Sequence, residues 1–180
     1  ASALGLGVAA GKSAAEASKE QTMPKIPVME VEAELKRIQA LFDRNKGVTP
    51  RAVKKQVQEL MQKNVWLRRE AKGLKKTLQA LNAIEKETMP MLCVPRGGRI
   101  SQRYLRLREA LETMNMLQCG QIVTTAALNR EESRGSHQRT DFPEMDNKNW
   151  LKNIVLWKER SSLSVRTEPV LATEVPLPKK

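Results

Sequence analysis

The sequence predicts a mainly α fold, an antiparallel bundle of three to four helices followed by a short C-terminal β-hairpin. Aromatic residues are few, with three Trp, two Phe and one Tyr in 180 residues, while aliphatic residues are plentiful. Apolar residues recur at intervals of three and four over most of the chain and alternate with polar residues only near its end. Aliphatic cores with this period suit packed helices better than sheets.

The predicted helical domain, residues 29–152, begins with two helices joined by a short loop. The first of them stops at Asn45-Lys46-Gly47, and the second starts at Thr49-Pro50. Thr is a good N-cap and Pro suits the first turn of a helix. A loop this short predicts that the two helices lie antiparallel. The apolar positions of the first helix are Val31, Leu35, Ile38 and Phe42.

Two further helices are predicted in the same domain. One ends near Thr88, and a long one runs from about Gln102 to Leu128. The segment Met89–Gly98 between them contains two prolines and a Gly-Gly pair. These residues interrupt regular structure, so the segment is predicted to be an irregular crossover.

In the C-terminal region the spacing of apolar residues changes from the helical interval to an interval of two. Apolar and polar residues alternate over 153–170 on both sides of a turn at Glu159–Ser162, which predicts a β-hairpin. Residues 171–180 contain Pro176 and Pro178 and are predicted to be an extended tail.

The N-terminal region is predicted to be a separate helix over 1–20, followed by a linker over 21–28 that contains Pro24 and Pro27. This helix is apolar nearly all round at its start. Such a surface needs cover, so we expect it to pack against a structure that this chain does not contain.

The formal charge of +12 would attract polyanions. However, the chain shows no recognition module and few aromatic residues for stacking, so nucleic acid is not the expected partner. No metal site is predicted, because Cys93 and Cys119 lie far apart and near no His, and their roles are open. No apolar run approaches the roughly twenty residues of a bilayer span. We therefore expect a cytoplasmic protein that reaches a membrane only through a partner complex.

A polar motif near the C-terminus carries the most specific signal. It runs from Arg130 through Pro143 to Lys152 and contains His137, the one His of the chain. It resembles the E-S-R-G-x-H-x-R-x-D-F/Y-P…D-x-x-N-W-L-K signature of the C-terminal domain of the fumarate reductase and succinate dehydrogenase flavoprotein family, which includes L-aspartate oxidase. The similarity extends over about Leu35 to Val170 and is dense only between Asn115 and Lys152.

This resemblance implies an FAD-dependent oxidoreductase that moves hydride between flavin and a dicarboxylate carbon. The nucleotide fingerprint and the family's catalytic groups would lie upstream of this chain, so FAD would be held mostly by an upstream polypeptide or domain and the chain alone would be inactive. No catalytic residue is assigned here; Arg134, His137 and Arg139 are only candidates. With Asp141, these residues are predicted to organise the seam between helical domain, flavin domain and partner. The simpler alternative is a hydrogen-bond network that fixes the loop around Gly135.

The N-terminal helix carries a second resemblance. Ser2-Ala3-Leu4 and Gly11–Ala17 fit the second half of the alanine-rich helix that closes the flavin domain in this family. The amides of Ser2, Ala3 and Leu4 are therefore predicted to lie near the isoalloxazine, since a helix N-terminus favours negative charge. The alternative is a helix that is merely packed.

Basic residues at the start of the long helix form a third candidate site. Arg99, Arg103 and Arg106 recur at helical spacing and are predicted to dock an acidic iron–sulfur or other electron-transfer subunit. The alternative is a solvated face. For the whole chain, the rival interpretation is a stand-alone basic helical protein that binds an acidic partner or nucleic acid. Within the enzymes, a sulfur-metabolism reductase or L-aspartate oxidase is an alternative.

Overall fold

The computed structural model describes residues 2–23, 25–44, 46–159 and 162–170. It divides into two compact units, Ala1–Ile38 and Gln39–Lys180. The helices are α1 (Ser2–Glu20), α2 (Val28–Asp43), α3 (Pro50–Asn64), α4 (Ala71–Ala83), α5 (Ile100–Asn129) and α6 (Asn147–Trp150). The strands are β1 (Arg68–Arg69), β2 (Gln138–Arg139), β3 (Lys152–Glu159) and β4 (Ser162–Pro169). The predicted fold class, mainly α with a C-terminal hairpin, is confirmed.

The first unit contains α1 and the start of α2. Every described side chain of α1, from Leu4 to Glu20, is exposed, and the exposed fractions of Leu4 and Leu6 are 79% and 71%. The side chains of Ser2 and Ala3 and the linker residue Pro24 lie outside the described residues. The apolar surface predicted for this helix is therefore present and bare in this chain.

The second unit is built on α3, α4 and α5. Thr49 caps α3 as predicted, because the Ala52 amide donates to its Oγ1 at 3.4 Å, and Pro50 occupies the first turn. The three helices enclose a core of aliphatic side chains. Its fully buried members include Leu41, Val53, Val57, Leu81, Leu92, Val94 and Leu117.

Two glycines of this unit differ in the space around them. A Cβ on Gly120 of α5 would make ordinary van der Waals contact, 3.4 Å from Met61 Sδ and 3.5 Å from Leu81 Cδ1. At Gly47 a Cβ would lie 2.1 Å from the Met91 carbonyl oxygen, so only glycine fits.

The crossover after α4 is more ordered than the sequence predicts. After α4 the chain continues as a π-helix at Ile84–Thr88 and a 3₁₀ turn at Met89–Met91. Leu92, Cys93 and Val94 are then buried, and the Val94 amide donates to the Leu41 carbonyl at 2.8 Å. The crossover thus supplies part of the core.

The C-terminal hairpin pairs β3 with β4 in antiparallel register, from Lys152↔Pro169 to Glu159↔Ser162. The predicted hairpin is confirmed, although its first strand begins at Lys152. The predicted tail, 171–180, lies outside the described residues. Within the described residues, none of the helices has the length and apolar character required to traverse a bilayer.

Candidate functional site: the charged loop after α5

The motif identified in the sequence forms a loop that joins α5 to α6 and docks beside the α3–α4 connection. Its strand β2 pairs in parallel with β1, with Arg68 opposite Gln138 and Arg69 opposite Arg139. The Thr140 amide extends this pairing by donating to the Arg69 carbonyl at 2.8 Å. The loop is therefore held against a segment about seventy positions earlier in the chain.

Arg139 is buried at the C-terminal end of α5, with an exposed fraction of 2%. Its Nη1 donates to the carbonyl oxygens of Ala127 at 2.9 Å, Leu128 at 3.2 Å and Arg130 at 2.9 Å. These are carbonyls that a helix end leaves without a partner, and they carry the negative end of the helix dipole. Arg139 thus acts as a C-terminal cap for α5.

Asp141 completes the same arrangement from the other side. Its two oxygens accept from Arg139 Nε at 2.7 Å and Nη2 at 2.8 Å, and Oδ2 also accepts from the Ala71 amide at 2.9 Å. Ala71 is the first residue of α4, so the carboxylate lies at the positive end of that helix. The hydrogen bond from Arg139 holds the pKa of Asp141 well below its usual range.

A second ion-pair cluster surrounds Glu132, whose side chain is fully buried. Oε1 accepts from Arg130 Nη1 at 2.6 Å and Arg134 Nε at 2.9 Å. Oε2 accepts from Arg134 Nη2 and from the Asp146 amide, each at 2.9 Å. Burial alone would raise the pKa of Glu132, but the hydrogen bonds from Arg134, Asp146 and Arg130 outweigh it and lower the pKa.

Arg130 extends this cluster to the hairpin. Its Nη2 donates to the Lys152 carbonyl at 2.7 Å, and its guanidinium carbon lies 5.5 Å from the centroid of the Trp150 ring. Lys152 Nζ lies 4.7 Å from the same ring. Trp150 therefore lies between the hairpin and the end of α5. Trp157 is 40% exposed, and its ring centroid lies 5.4 Å from the guanidinium carbon of Arg166 on the opposite strand.

The hydrogen bonds of His137 define its protonation state. Arg69 Nη1 lies 2.6 Å from His137 Nδ1, and because a guanidinium can only donate, Nδ1 must be the acceptor. Nε2 then carries the proton and donates to the Arg130 carbonyl at 3.3 Å. Burial lowers the pKa of His137, as do the charges of Arg69, Arg139 and Arg130, so the imidazole is neutral.

A tight turn places His137. The amides and carbonyls of Arg134 and His137 bond reciprocally at 2.8 and 3.0 Å, and Gly135 takes a positive φ of 57° inside the turn. Ser133 Oγ accepts from the Arg139 amide at 2.8 Å and donates to the Phe142 carbonyl at 2.8 Å. The loop is thus organised by its own polar groups.

The structure brings Arg134, His137, Arg139 and Asp141 together in this one loop. All four direct their polar atoms to partners within the chain. Both His137 nitrogens are used, so neither is free to exchange a proton with an outside group. The four side chains therefore belong to one hydrogen-bond network within the loop region. Among the described residues, no group of three or more His, Cys, Asp or Glu side chains could hold a metal ion.

The basic residues at the start of α5 are only partly free. Arg99 and Arg103 are exposed, while Arg106 is half-buried and its Nη1 donates to the Gly97 carbonyl at 2.7 Å. Exposed apolar side chains lie among them, since Ile100 and Tyr104 are 82% and 72% exposed. The spacing of the arginines in the sequence does not indicate this mixed polar and apolar surface.

Two charged residues of the loop region were also missed. Glu132 is buried by partners within the loop itself, Arg130, Arg134 and the Asp146 amide, whereas the contact between Arg69 and His137 joins residues 68 positions apart. Periodicity carries no signal for either. The only sign in the sequence was that Glu132 lies inside the motif.

A family model and several known proteins match this chain. The family model described as "Fumarate reductase flavoprotein C-term" matches residues 54–180. The chain belongs to this family. A fumarate reductase (CoM/CoB) polypeptide of Methanothermobacter marburgensis is 33% identical over 150 residues, which cover 83% of this chain and 25% of that protein.

Solved structures of the flavoprotein family share the fold. The apo form of the Mycobacterium smegmatis Sdh1 complex aligns with a TM-score of 0.73 and 27% identity, covering 87% of this chain and 26% of that one. An E. coli quinol fumarate reductase aligns with a TM-score of 0.79 over 93% of this chain and 29% of that one, and its 20% identity supports the fold alone. The chain spans about a quarter of the length of the curated relative described above.

Proposed function

We propose that this chain is the C-terminal helical portion of an FAD-dependent oxidoreductase of the fumarate reductase and succinate dehydrogenase type, where it supports the flavin-binding part and docks an electron-transfer partner. The internal hydrogen bonds and ion pairs of the loop support the proposal. Arg139 and Asp141 join the ends of α5 and α4, so the loop has one shape. A rigid loop whose charges are satisfied internally suits a supporting role, with the reacting groups supplied by another part of the protein.

The proposed contact with the cofactor lies at the start of α1. The resemblance assigns the amides of Ser2, Ala3 and Leu4 to the helix that closes the flavin domain in this family, where they would donate to the anionic edge of the flavin. The exposed Leu4, Leu6 and Val8 support the idea that this helix is covered by a flavin-binding body. When bound, FAD supplies the hydride chemistry of this family, and most of its binding residues would lie outside this chain.

The proposed docking surface for an electron-transfer partner is the start of α5. Arg99 and Arg103 are exposed, and neither makes an ion pair with a described residue. Positive charge would steer an acidic partner, and the exposed Ile100 and Tyr104 would add contact area. Arg106 would support this surface through the Gly97 carbonyl.

The test is the native particle, purified without dissociation and measured by absorption spectroscopy and intact mass. The expected result is bound flavin and a companion polypeptide in stoichiometric amount. A colourless particle that contains only this chain would overturn the proposal. The Arg99→Glu, Arg103→Glu double variant should release the electron-transfer subunit while flavin is retained, and Arg51→Glu, an exposed site on α3, is the matched control.

The reaction would be assigned on the same particle. Turnover of fumarate or succinate is expected from the family. Turnover of L-aspartate or of a sulfur oxyanion instead would identify one of the alternatives within the enzymes.

A further inference from the structure

A second feature lies beside the loop, where the end of α3 meets β1 and α5. Here a groove of about 990 Å³ is open to solvent. Its apolar wall is formed by Met61, Val65, Trp66, Leu67 and Val123. Trp66, Leu67 and Val123 are 60%, 52% and 45% exposed, so large apolar side chains stand together at the surface. A contiguous patch of exposed apolar side chains commonly marks a site where another molecule binds.

Arg69 also lines this groove, and its environment differs from that of the other loop arginines. Arg130, Arg134 and Arg139 each pair with a carboxylate. Arg69 is half-buried, and it donates only to the Val65 carbonyl at 2.8 Å and to the neutral His137 at 2.6 Å. In the described part of the chain, no carboxylate lies within ion-pair distance of it, and its Nη2 has no hydrogen-bond partner. A half-buried cation without a counter-charge is costly.

We infer that this groove receives a segment of the flavin-binding body in which an acidic side chain is flanked by apolar ones. This inference rests on the proposed function. The carboxylate would pair with Nη2 of Arg69, and the flanking side chains would cover Trp66, Leu67 and Val123. Such a segment would neutralise the charge of Arg69 and cover the apolar wall of the groove at the same time.

The composition of the groove favours a polypeptide segment over other occupants. A small free carboxylate would compensate Arg69 but leave the apolar wall in water. Nucleic acid would bring phosphate but no aliphatic groups for that wall. Glu59 also lines the groove, but it pairs with Lys55, with Nζ 3.8 Å from Oε1, and Lys63 adds a positive charge to the same groove.

The first test is site-specific photo-crosslinking in the native particle, with p-benzoylphenylalanine introduced at Val123 and, as a control, at Leu105. Both residues lie on α5 and are about equally exposed, but Leu105 does not line the groove. Position 123 should crosslink to the flavin-binding polypeptide at a segment that contains Asp or Glu between apolar residues. Position 105 should not reach that segment. A crosslink from position 123 to a segment without an acid, or none in an intact yellow particle, would overturn the inference.

The second test uses substitutions in the same particle. Val123→Glu places a negative charge in the apolar wall next to the incoming carboxylate, and it should lower the fraction of chain bound to the flavin polypeptide about tenfold. Leu105→Glu should leave that fraction unchanged. Arg69→Lys keeps the charge and should retain most binding, whereas Arg69→Gln should not. Equal retention of all four variants in a yellow particle would refute the groove assignment while leaving the proposed function intact, and the absence of any flavin complex with the wild-type chain would overturn both.

Discussion

Arg139 and Asp141 form a bidentate ion pair that joins the C-terminal end of α5 to the N-terminal end of α4. The guanidinium Nε and Nη2 lie 2.7 and 2.8 Å from the two carboxylate oxygens. Arg139 also donates to three carbonyls at the end of α5, and Asp141 accepts from the first amide of α4. Each charge therefore faces the helix end of opposite sign.

Replacement of Asp141 by Asn should destabilise the fold. The amide can still accept from Ala71, but Arg139 becomes a buried cation with no counter-charge. Removing one partner of a buried pair costs about 3–5 kcal/mol, and the partial exposure of Asp141 places the expected loss near the lower end, about 3 kcal/mol. Urea denaturation measures it. Asp43→Asn removes the exposed pair with Arg96 and should cost at most about 1 kcal/mol; equal losses in the two variants would contradict this account of Arg139.

Replacement of Glu132 by Gln tests the second cluster. The side chain keeps its shape, but Arg130 and Arg134 lose the carboxylate they share, and an expected loss of about 3 kcal/mol follows. The neighbouring Glu131 is exposed, so Glu131→Gln should change the free energy of unfolding by no more than about 0.5 kcal/mol. Thermal unfolding of the two variants under identical conditions compares them directly. A Glu132→Gln variant as stable as the wild type would show that the cluster is not a source of stability.

Stability should fall as the pH drops through the titration of His137. The folded state lowers the pKa of this group below its ordinary value of 6.5. Between these two values the unfolded chain binds the proton and the folded chain does not, so the free energy of unfolding decreases with decreasing pH. The contribution is complete above about pH 7 and is lost as the pH falls through the lowered value.

This pH dependence can be assigned because the chain contains one His. His137→Asn retains an acceptor for Arg69 without titrating near neutrality. Its unfolding free energy, measured from pH 7.5 to 5, should be flatter than that of the wild type. Parallel curves for both proteins would assign the effect to other groups.

Gly47 should not tolerate a side chain. In Gly47→Ala the new Cβ would meet the Met91 carbonyl oxygen, which is backbone and also accepts from the Val48 amide at 2.9 Å. We expect a loss of about 1–3 kcal/mol in unfolding free energy, measured by chemical denaturation. Gly11→Ala is the matched control, since nothing lies within 4 Å of a Cβ there and alanine favours a helix by about 0.5–1 kcal/mol. A loss in Gly11→Ala as large as that in Gly47→Ala would indicate that glycine itself, not the clash, matters.

The helices and the hairpin could be predicted from the sequence because their signals are local. Thr49-Pro50 defines the start of α3 by its own chemistry, and the alternation on either side of Glu159–Ser162 defines the hairpin. The long helix predicted from about Gln102 to Leu128 spans Ile100–Asn129 in the structure. In each case the deciding interactions join residues near one another in the chain.

Other features could not be predicted, because distant residues determine them. No helical or strand periodicity in the sequence marks the buried residues Leu92, Cys93 and Val94. Backbone hydrogen bonds from Cys93 to Val48 and from Val94 to Leu41 hold this segment in the core. The polar motif around Arg139 predicts an exposed side chain. Arg139 is buried instead, because the ends of α4 and α5 meet around it and Asp141. The motif indicated the family from its residue types but not which charges would remain free.

The parallel pairing of Arg68–Arg69 with Gln138–Arg139 has a consequence for how the protein reaches its native state. Closing contacts between segments so far apart in sequence has a high entropic cost, and a ladder of two residues offsets little of it. The pairing should therefore form late, after the surrounding helices have assembled. The pairing should also be the first contact to open, so hydrogen exchange at the Thr140 amide would report local detachment of the loop while the bundle stays folded.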